Sequence, residues 1–551
     1  MDNTLKYISL GGVANVTKNM HLYEYKNEIL IVDCGLGFAD ETMLGVDLVL
    51  PDTTYFTKNP NKKIVGIAIT HGHEDHMGAL PYILPQLRGK FEIFAPPLAA
   101  AFANEKLKEF GISKKVVSIN YDKDILLGNF LISFIRITHS VPDTSNIFIK
   151  TPAGNIYHGS DFKFDFTPYD GKKTDFSKIV RKTDEGVLCL MSDCLGSERP
   201  GFTASEHEIA ETIYEEMRAT SGKFIFTTYS SNISRLNQAL DAAKSLNRKV
   251  CFVGRSLIKA MEVGVSLGYM KIDRDMEIDL KQIRNYNDKQ VVLLVAGSQG
   301  QEGSALSRIA NGDHRDISLT SKDAVVFSSD PIPGNEEAIN ALIDDIAKLG
   351  ARVIYSDISE QIHVSGHGSQ NDLSLMMALT RPNFVLPIGG TYKHMIAYKN
   401  LAIKNGFSEK NVLLADDGQE ISFTKDSARL GNKIHLQNVY VDQVSGEEVD
   451  TFVLRDREKI SKEGVVIVLC EIDTYGGLVE RPNIIVRGFS GMEVNELING
   501  LSAEIRNNLK PKKNKVTDWT YMRRTIGNIA EKFLVKKLKR RPLVLPVVIE
   551  V

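Results

Sequence analysis

Over the first 200 residues, short apolar runs rich in β-branched and aromatic residues alternate with polar turns. They are EILIVDCG (28–35), KIVGIAITHG (63–72), FEIFAPP (91–97), FLISFIRITHS (130–140), GNIYHGSDF (154–162) and GVLCLMSD (186–193). Many strands and few helices predict sheets packed face to face or flanked by helices. The pattern changes near Ser205. In SEHE, Ser205 and Glu208 have the spacing of a capping box, which predicts a helix through EIAETIYEEMRATSG. Strand-like and helix-like runs then alternate: KFIFTTYS, SRLNQALDAAKSLN, RKVCFVGRS, LIKAMEVGVSLGY, QVVLLVAGS, DAVVFSSD, NEEAINALIDDIAKLG and RVIYSD. That is the βαβ signature of an open parallel sheet, which binds ligands beyond the carboxyl ends of its strands. Those ends, TTYSSN, GRS, AGSQG and SSDPIPGN, carry the hydroxyls and free N–H groups that suit phosphate oxygens.

After residue 356 the strand-rich pattern returns, through FVLPIGG and NVLLADDGQEISF, so the βαβ unit reads as an insertion into the first domain. The expected division is 1–204 with 357–424, an insert over 205–356, a linker over 425–447 and a third unit over 448–551. That last unit pairs strands (GVVIVLCEI, NIIVRGF, PLVLPVVIEV) with two helices, GMEVNELINGLSAEIRNNL and the basic YMRRTIGNIAEKFLVKKLKRR, as a small α/β module.

A chain of 551 residues is too long for one core and agrees with several domains. No apolar run approaches 18 residues, and the start, MDNTLKYISL, lacks a secretory pattern, so neither a membrane span nor export is expected. The five cysteines (34, 189, 194, 251 and 470) are scattered, with no C-x-x-C, which suits the reducing cytoplasm. The net charge of −2 hides an asymmetry: residues 501–551 hold 13 Lys and Arg against 4 Asp and Glu. These cluster in KPKKNK (510–515) and KKLKRR (536–541), either as a solvated face or as a contact for a polyanion such as nucleic acid.

The chemistry concentrates in THGHEDHMG (70–78), which holds three histidines and two acids within six positions at the end of a strand. Imidazole and carboxylate are the donors that hold zinc-like ions. His71 and His73 could serve one ion, with Asp75 and His76 turned to a second. His139 and Asp161 lie at other strand ends and join them as candidates, since a carboxylate can bridge two ions.

THGHEDHMGALPY, with GGVANVTKNM, VDCG, THSVPDT and GSDFKFD, resembles the metallo-β-lactamase superfamily. MSDCLGSERPG, SSNISRLNQ, VGRSL, AGSQGQEGSALSRIA, SSDPIPGNE, HVSGHGSQND and RPLVLPVVIEV resemble its β-CASP branch, and within it the ribonuclease J family. The resemblance implies an αββα sandwich with an inserted parallel-sheet β-CASP domain and a small C-terminal α/β domain that aids dimerisation. It implies RNA as substrate, hydrolysed 5′-to-3′ from 5′-monophosphate ends and also internally, in RNA maturation and mRNA decay. It implies two divalent metal ions, zinc foremost. By resemblance, His71, His73, His139 and Asp161 match the first ion's ligands, and Asp75, His76 and the bridging Asp161 the second's. Asp33 matches an acid that orients the ligand loop, and Asp193 an acidic motif. His363, Val364, Ser365, Gly366 and His367, with Ser231 and Asn232, match segments that bind substrate. Either His367 or His363, held by Asp193, could protonate the leaving 3′ oxygen.

One departure stands out. The family's last ligand is a histidine in P-x-H-G-E-Y, whereas this chain reads LPIGGTYKHM (386–395). Gly389 takes the histidine's place and Thr391 the acid's, and His394 is the one nearby candidate to swing in. The second ion then keeps three protein ligands, a set that a six-coordinate ion such as Mn²⁺ or Mg²⁺ completes with water. Three readings follow: an active ribonuclease acting as homodimer or homotetramer; a weakly active or inactive RNA-binding paralogue forming a hetero-oligomer with an active homologue; and another hydrolase, a lactamase or thioesterase, on the same metal core.

Overall fold

The computed structural model describes residues 3–40, 43–332, 334–442, 447–489, 494–511 and 518–551. The chain divides into two compact units: Met1–Phe38 with Val49–Val439, and Ala39–Leu48 with Tyr440–Val551.

The larger unit is built on two facing sheets. The first has eight strands in the order Ser427–Lys433, Gln419–Thr424, Leu5–Gly11, Met20–Tyr25, Glu28–Val32, Lys63–Ala68, Glu92–Ala95 and Val116–Ser118. It is antiparallel up to Glu28–Val32 and parallel from there on. The second sheet has six: Phe384–Ile388, Cys189–Asp193, Gly154–His158, Ser145–Thr151, Phe130–Arg136 and Ile125–Leu127. Side chains from both inner faces meet in one core, Tyr7, Tyr23 and Leu30 from the first with Phe134, Ile147 and Ile156 from the second. The outer face of the second sheet is covered by Phe176–Thr183, Gln370–Thr380 and Tyr392–Lys404, whose Ile179, Met376 and Tyr398 join that core. Strands such as Glu28–Val32 are buried on both faces, which is why their sequences are apolar throughout instead of alternating. This is the αββα layering expected, with the inserted sheet described next. Part of the stretch expected as a linker, Ser427–Lys433, is the edge strand of the first sheet.

The insertion leaves after Cys189–Asp193 and returns to Phe384–Ile388, its direct parallel neighbour, with Cys189 opposite Phe384 and Asp193 opposite Ile388. An excursion that begins and ends on adjacent strands leaves the host sheet intact. The insert is itself a five-stranded sheet, all parallel, in the order Lys249–Val253, Val291–Val295, Phe224–Thr227, Ala324–Phe327 and Arg352–Ile354. Successive residues alternate between two cores: Phe224, Phe226, Val292 and Leu294 pack on one face, Ile225, Leu293 and Val295 on the other. The helix expected after Ser205 is His207–Ala219. Glu208 reaches back to the Ser205 N–H as a capping box requires, while the Ser205 hydroxyl accepts from His207 N.

In the smaller unit, Val465–Ile472 lies between an antiparallel Asn483–Arg487 and a parallel Leu543–Glu550. Helices Val494–Asn508 and Trp519–Leu538 close one face through Leu501, Ile505, Met522, Ile526, Ala530 and Leu534. Lys512–Lys515 of the KPKKNK run lie outside the described residues. Among the described residues no helix is long and apolar enough to cross a membrane. All five cysteines are buried free thiols.

Candidate metal centre

The centre forms where strand ends of both sheets converge. Lys63–Ala68 delivers Thr70 and His71, and a single turn of helix, Glu74–Met77, displays Asp75 and His76. His139 follows Phe130–Arg136, and Asp161 follows Gly154–His158. His71 Nε2 lies 3.0 Å from His73 Nδ1, and His139 Nε2 3.3 Å from the same atom. Asp161 Oδ2 is 3.8 Å from His71 Nε2 and 3.9 Å from His139 Nε2. On its other side the same oxygen is 3.2 Å from His76 Nε2, with Asp75 Oδ2 3.6 Å from that nitrogen. Two donor sets therefore share Asp161: His71, His73, His139 and Asp161, and Asp75, His76 and Asp161.

The hydrogen bonds behind these atoms test whether the sets fit cations. Thr70 Oγ1 donates to the Asp33 carboxylate at 2.9 Å and so accepts from His71 Nδ1–H at 3.0 Å. His139 Nδ1–H donates to the Gly366 carbonyl at 2.7 Å, and His76 Nδ1–H to Asp33 Oδ2 at 2.8 Å. In each ring the outward nitrogen holds a proton, which leaves the inward Nε2 of His71 and His139 as a lone pair. Lone pairs converging at about 3 Å on one another repel unless a cation lies among them, so the residues fit a divalent ion. The charge states agree. Burial holds His71 and His139 well below the usual imidazole range, and pulls His73 down to about 3. His76 differs: burial alone would lower it, but Asp161, Asp75 and Asp33 together raise it well above. Burial pushes Asp75 up to about 6.

Asp33 adopts the left-handed region (φ 63) one residue past its strand and is fully buried. It accepts from Thr70 N at 2.7 Å as well as from His76, and so ties the ligand loop to the neighbouring strand. Asp193 accepts from Leu195 N and holds His367 Nδ1 at 2.8 Å. His367 stacks edge-on against His139 at 5.1 Å, and its donor atom groups with Asp161 and Asp193. Burial would lower its basicity, but Asp193 and Asp161 outweigh that and lift it to about 9.

The other expected residues have more varied surroundings. His363 turns to the insert: Nδ1 accepts from Arg235 Nη1 at 2.9 Å, and Nε2 lies 3.2 Å from Asp330 Oδ2. Val364 packs against the insert's core, and Ser365 Oγ accepts from Arg199 and from His367 N. Gly366 is glycine for want of room, since a Cβ there would stand 2.6 Å from His139 Cε1. Asn232 is 1% exposed, and its side chain caps helix Ile233–Ser245 by accepting from Arg235 N. Ser231, beside it, is half-buried. At Gly389 (φ +66) a Cβ would lie 3.5 Å from Asp161 Oδ1 and 3.8 Å from Asp193 Oδ1, so a side chain there would enter the centre. His394 does not take its place. Nδ1 accepts from Thr391 N at 3.2 Å as a helix cap, and Nε2 faces Glu198 at 3.4 Å.

Sequence reasoning passed over Thr70, Arg199 and a buried chain of charge formed by Lys163, Glu206 and Arg235. Glu206 sits inside the SEHE stretch and Arg235 inside SSNISRLNQ, but nothing local marks either as a partner of the other.

Comparison with known proteins agrees with this arrangement. Residues 15–183 match the family described as "Metallo-beta-lactamase superfamily", 221–346 "Ribonuclease J, beta-CASP domain" and 452–551 "Ribonuclease J C-terminal domain". Among full-length relatives, "Ribonuclease J 1" of Streptococcus pyogenes serotype M3 is 37% identical, over 99% of this chain and 98% of its own. "Ribonuclease J" of Thermus thermophilus is 36% identical over 99% of this chain and 95% of its own. "Ribonuclease J2" of Bacillus subtilis is 32% identical over 99% of each. A crystal structure of a protein of unknown function from Enterococcus faecalis V583 shares the fold at a TM-score of 0.55, with 13% identity over 76% of this chain and all of its own.

Proposed function

The chain belongs to the ribonuclease J family of metal-dependent ribonucleases, and from that premise we propose that it degrades RNA 5′ to 3′ from monophosphorylated ends and also cleaves internally, in RNA maturation and mRNA decay. The observation that carries this reading is the pair of donor sets on Asp161 with the His367–Asp193 pair beside them. His71, His73, His139 and Asp161 would hold one divalent ion, and Asp75, His76 and Asp161 another, with zinc foremost and Mn²⁺ or Mg²⁺ suited to the second. Such ions acidify water and polarise the attacked phosphate. Asp33 keeps Thr70 and His76 in place. His367, carrying a proton held by Asp193, donates it to the departing 3′ oxygen. Ser231 and the segment His363–His367 line the path of the RNA.

The same reading places the protein in the cytoplasm, where five buried thiols stay reduced, as a homodimer or homotetramer. Support for self-association is the outer edge strand of the smaller unit, where Leu545, Val547 and Ile549 are each about 40% exposed. Gly389 favours a second reading. With no donor there and His394 occupied elsewhere, a weakly active subunit paired with an active homologue is the alternative.

Digestion of one RNA bearing a 5′-monophosphate or a 5′-triphosphate separates the two. The metal-stripped protein is resupplied with Zn²⁺, Mn²⁺ or Mg²⁺, and Gly389→His runs beside it. We expect processive loss of the monophosphorylated RNA by the natural chain. Gly389→His should bind metal in a ratio nearer two per chain, at a stability cost of about 1–2 kcal/mol for a left-handed non-glycine residue. Cleavage by Gly389→His alone, with none by the natural chain under any metal, would establish the partner-subunit reading.

A further inference from the structure

Lys163 and Arg235 have fully buried side chains, and both reach the same carboxylate, Glu206, which is 3% exposed. Lys163 Nζ is 3.3 Å from Glu206 Oε1. Arg235 brings both Nη2, at 2.6 Å, and Nε, at 3.2 Å, to Glu206 Oε2. Arg235 Nη1 goes on to the Ser328 carbonyl at 2.9 Å, its hydroxyl at 3.0 Å, and His363 Nδ1 at 2.9 Å. Asp330 closes the series at His363 Nε2. The charges alternate, plus at Lys163, minus at Glu206, plus at Arg235, minus at the half-exposed Asp330, so the series is balanced from end to end.

Its two ends sit in telling places. Lys163 lies two residues past Asp161, and its backbone is pinned to the strand end that bears His139: Lys163 N donates to Thr138 O at 2.9 Å, and Thr138 Oγ1 to Lys163 O at 2.6 Å. The other end is His363, which starts the segment whose Gly366 carbonyl holds His139 and whose His367 meets Asp193. A guanidinium only donates, so His363 Nδ1 must accept, and the ring's proton is left on Nε2. Arg235 therefore sets both the position of His363 and the tautomer it presents.

We propose that Arg235, clamped by Glu206 and Lys163, is a positioning residue that locks His363 in its Nε2–H form and thereby fixes the His363–His367 segment against the metal centre. This rests on the ribonuclease reading above. Nothing about Arg235 touches the reacting atoms; it acts through His363. Lysine keeps the charge but cannot reach Glu206, Ser328 and His363 together.

The test is a double-substitution cycle on the full-length, metal-loaded protein, with kcat and KM measured on one monophosphorylated RNA for Arg235→Lys, His363→Ala and the pair. Arg235→Lys should lower kcat by on the order of 10²-fold with KM within about twofold, as expected when a reacting group is misplaced by about an ångström. The pair should be no worse than His363→Ala alone. Losses that multiply, or an unchanged kcat in Arg235→Lys, would overturn the proposal. Should Arg235→Lys fail to fold, the isosteric Glu206→Gln, which loosens the clamp on Arg235, replaces it in the cycle with the same expectation. A second readout needs no turnover. In protein labelled with ¹⁵N-histidine, His363 should give a single Nε2–H tautomer that becomes mixed in the Arg235 or Glu206 variant, and an unmoved signal counts against the proposal. If the natural chain cleaves no RNA, the ribonuclease reading fails while the tautomer signal still decides the role of Arg235.

Discussion

At the scale of single residues, the centre depends on proton placement. Asp33 and Thr70 take the outward protons of His76 and His71, and the Gly366 carbonyl takes that of His139, so that the inward nitrogens of His71 and His139 are free to bind. His367 is the opposite case. Burial disfavours its charged form, yet Asp193 at 2.8 Å and Asp161 hold the proton on until about pH 9. A raised value means that the donating form is fully present at lower pH and lost as pH rises through it, so kcat should fall on the alkaline side. Asp193→Asn removes the nearest negative charge, and the alkaline fall should move to lower pH by a unit or more, with metal content unchanged. A profile of kcat from pH 6 to 10 checks this. An alkaline limb that stays put in the variant would remove His367 from the role of proton donor.

At the scale of elements, helix Ile233–Ser245 shows how one residue can be claimed by two roles. Asn232 belongs to a motif expected to bind substrate, but its side chain is buried and accepts from Arg235 N, the bond of an N-cap. Asn232→Ala should therefore cost about 1 kcal/mol, read as a lower urea midpoint, with KM for RNA little changed. Ser231→Ala should do the reverse, raising KM at constant stability. A large KM effect from Asn232 with no loss of stability would return it to the substrate. What the sequence made legible follows the same division between local and distant. The strands, the parallel insert and HGHEDH were readable because apolar runs, turn residues and clustered donors are neighbours in the chain. His139 and Asp161, single residues at strand ends, gained weight only beside that cluster, because a metal site needs more ligands than it holds. Glu206 and Arg235 left no signal at all, since their bond spans 29 residues and the one from Arg235 to His363 spans 128.

For the molecule as a whole, the question is how a long, flexible polyanion is held while it is being cut. The charge asymmetry of the sequence has a definite place in the structure. Helix Trp519–Leu538 buries Met522, Ile526, Ala530 and Leu534, and exposes Arg523, Arg524, Lys532, Lys536 and Lys537. Lys539, the helix's left-handed cap, and Arg540 and Arg541 just past it continue the exposed series. Burial of one apolar stripe leaves the basic side chains facing water, where they can meet phosphates without any rearrangement of the core. Each phosphate neutralised on a single strand contributes about 0.7 to the slope of log affinity against log salt. Replacing Arg524 and Lys532 by alanine should therefore lower that slope by roughly 1.4 for a long RNA and raise its KM at physiological salt. Cleavage of an RNA of a few nucleotides, which has no chain left over to reach a second surface, should keep its kcat and KM. The comparison separates two meanings of a basic face. If long and short substrates respond alike, or neither responds, the helix is a solvated face and the RNA is held by the cleft alone. If only the long substrate weakens, the smaller unit holds the RNA while the metal centre cuts it.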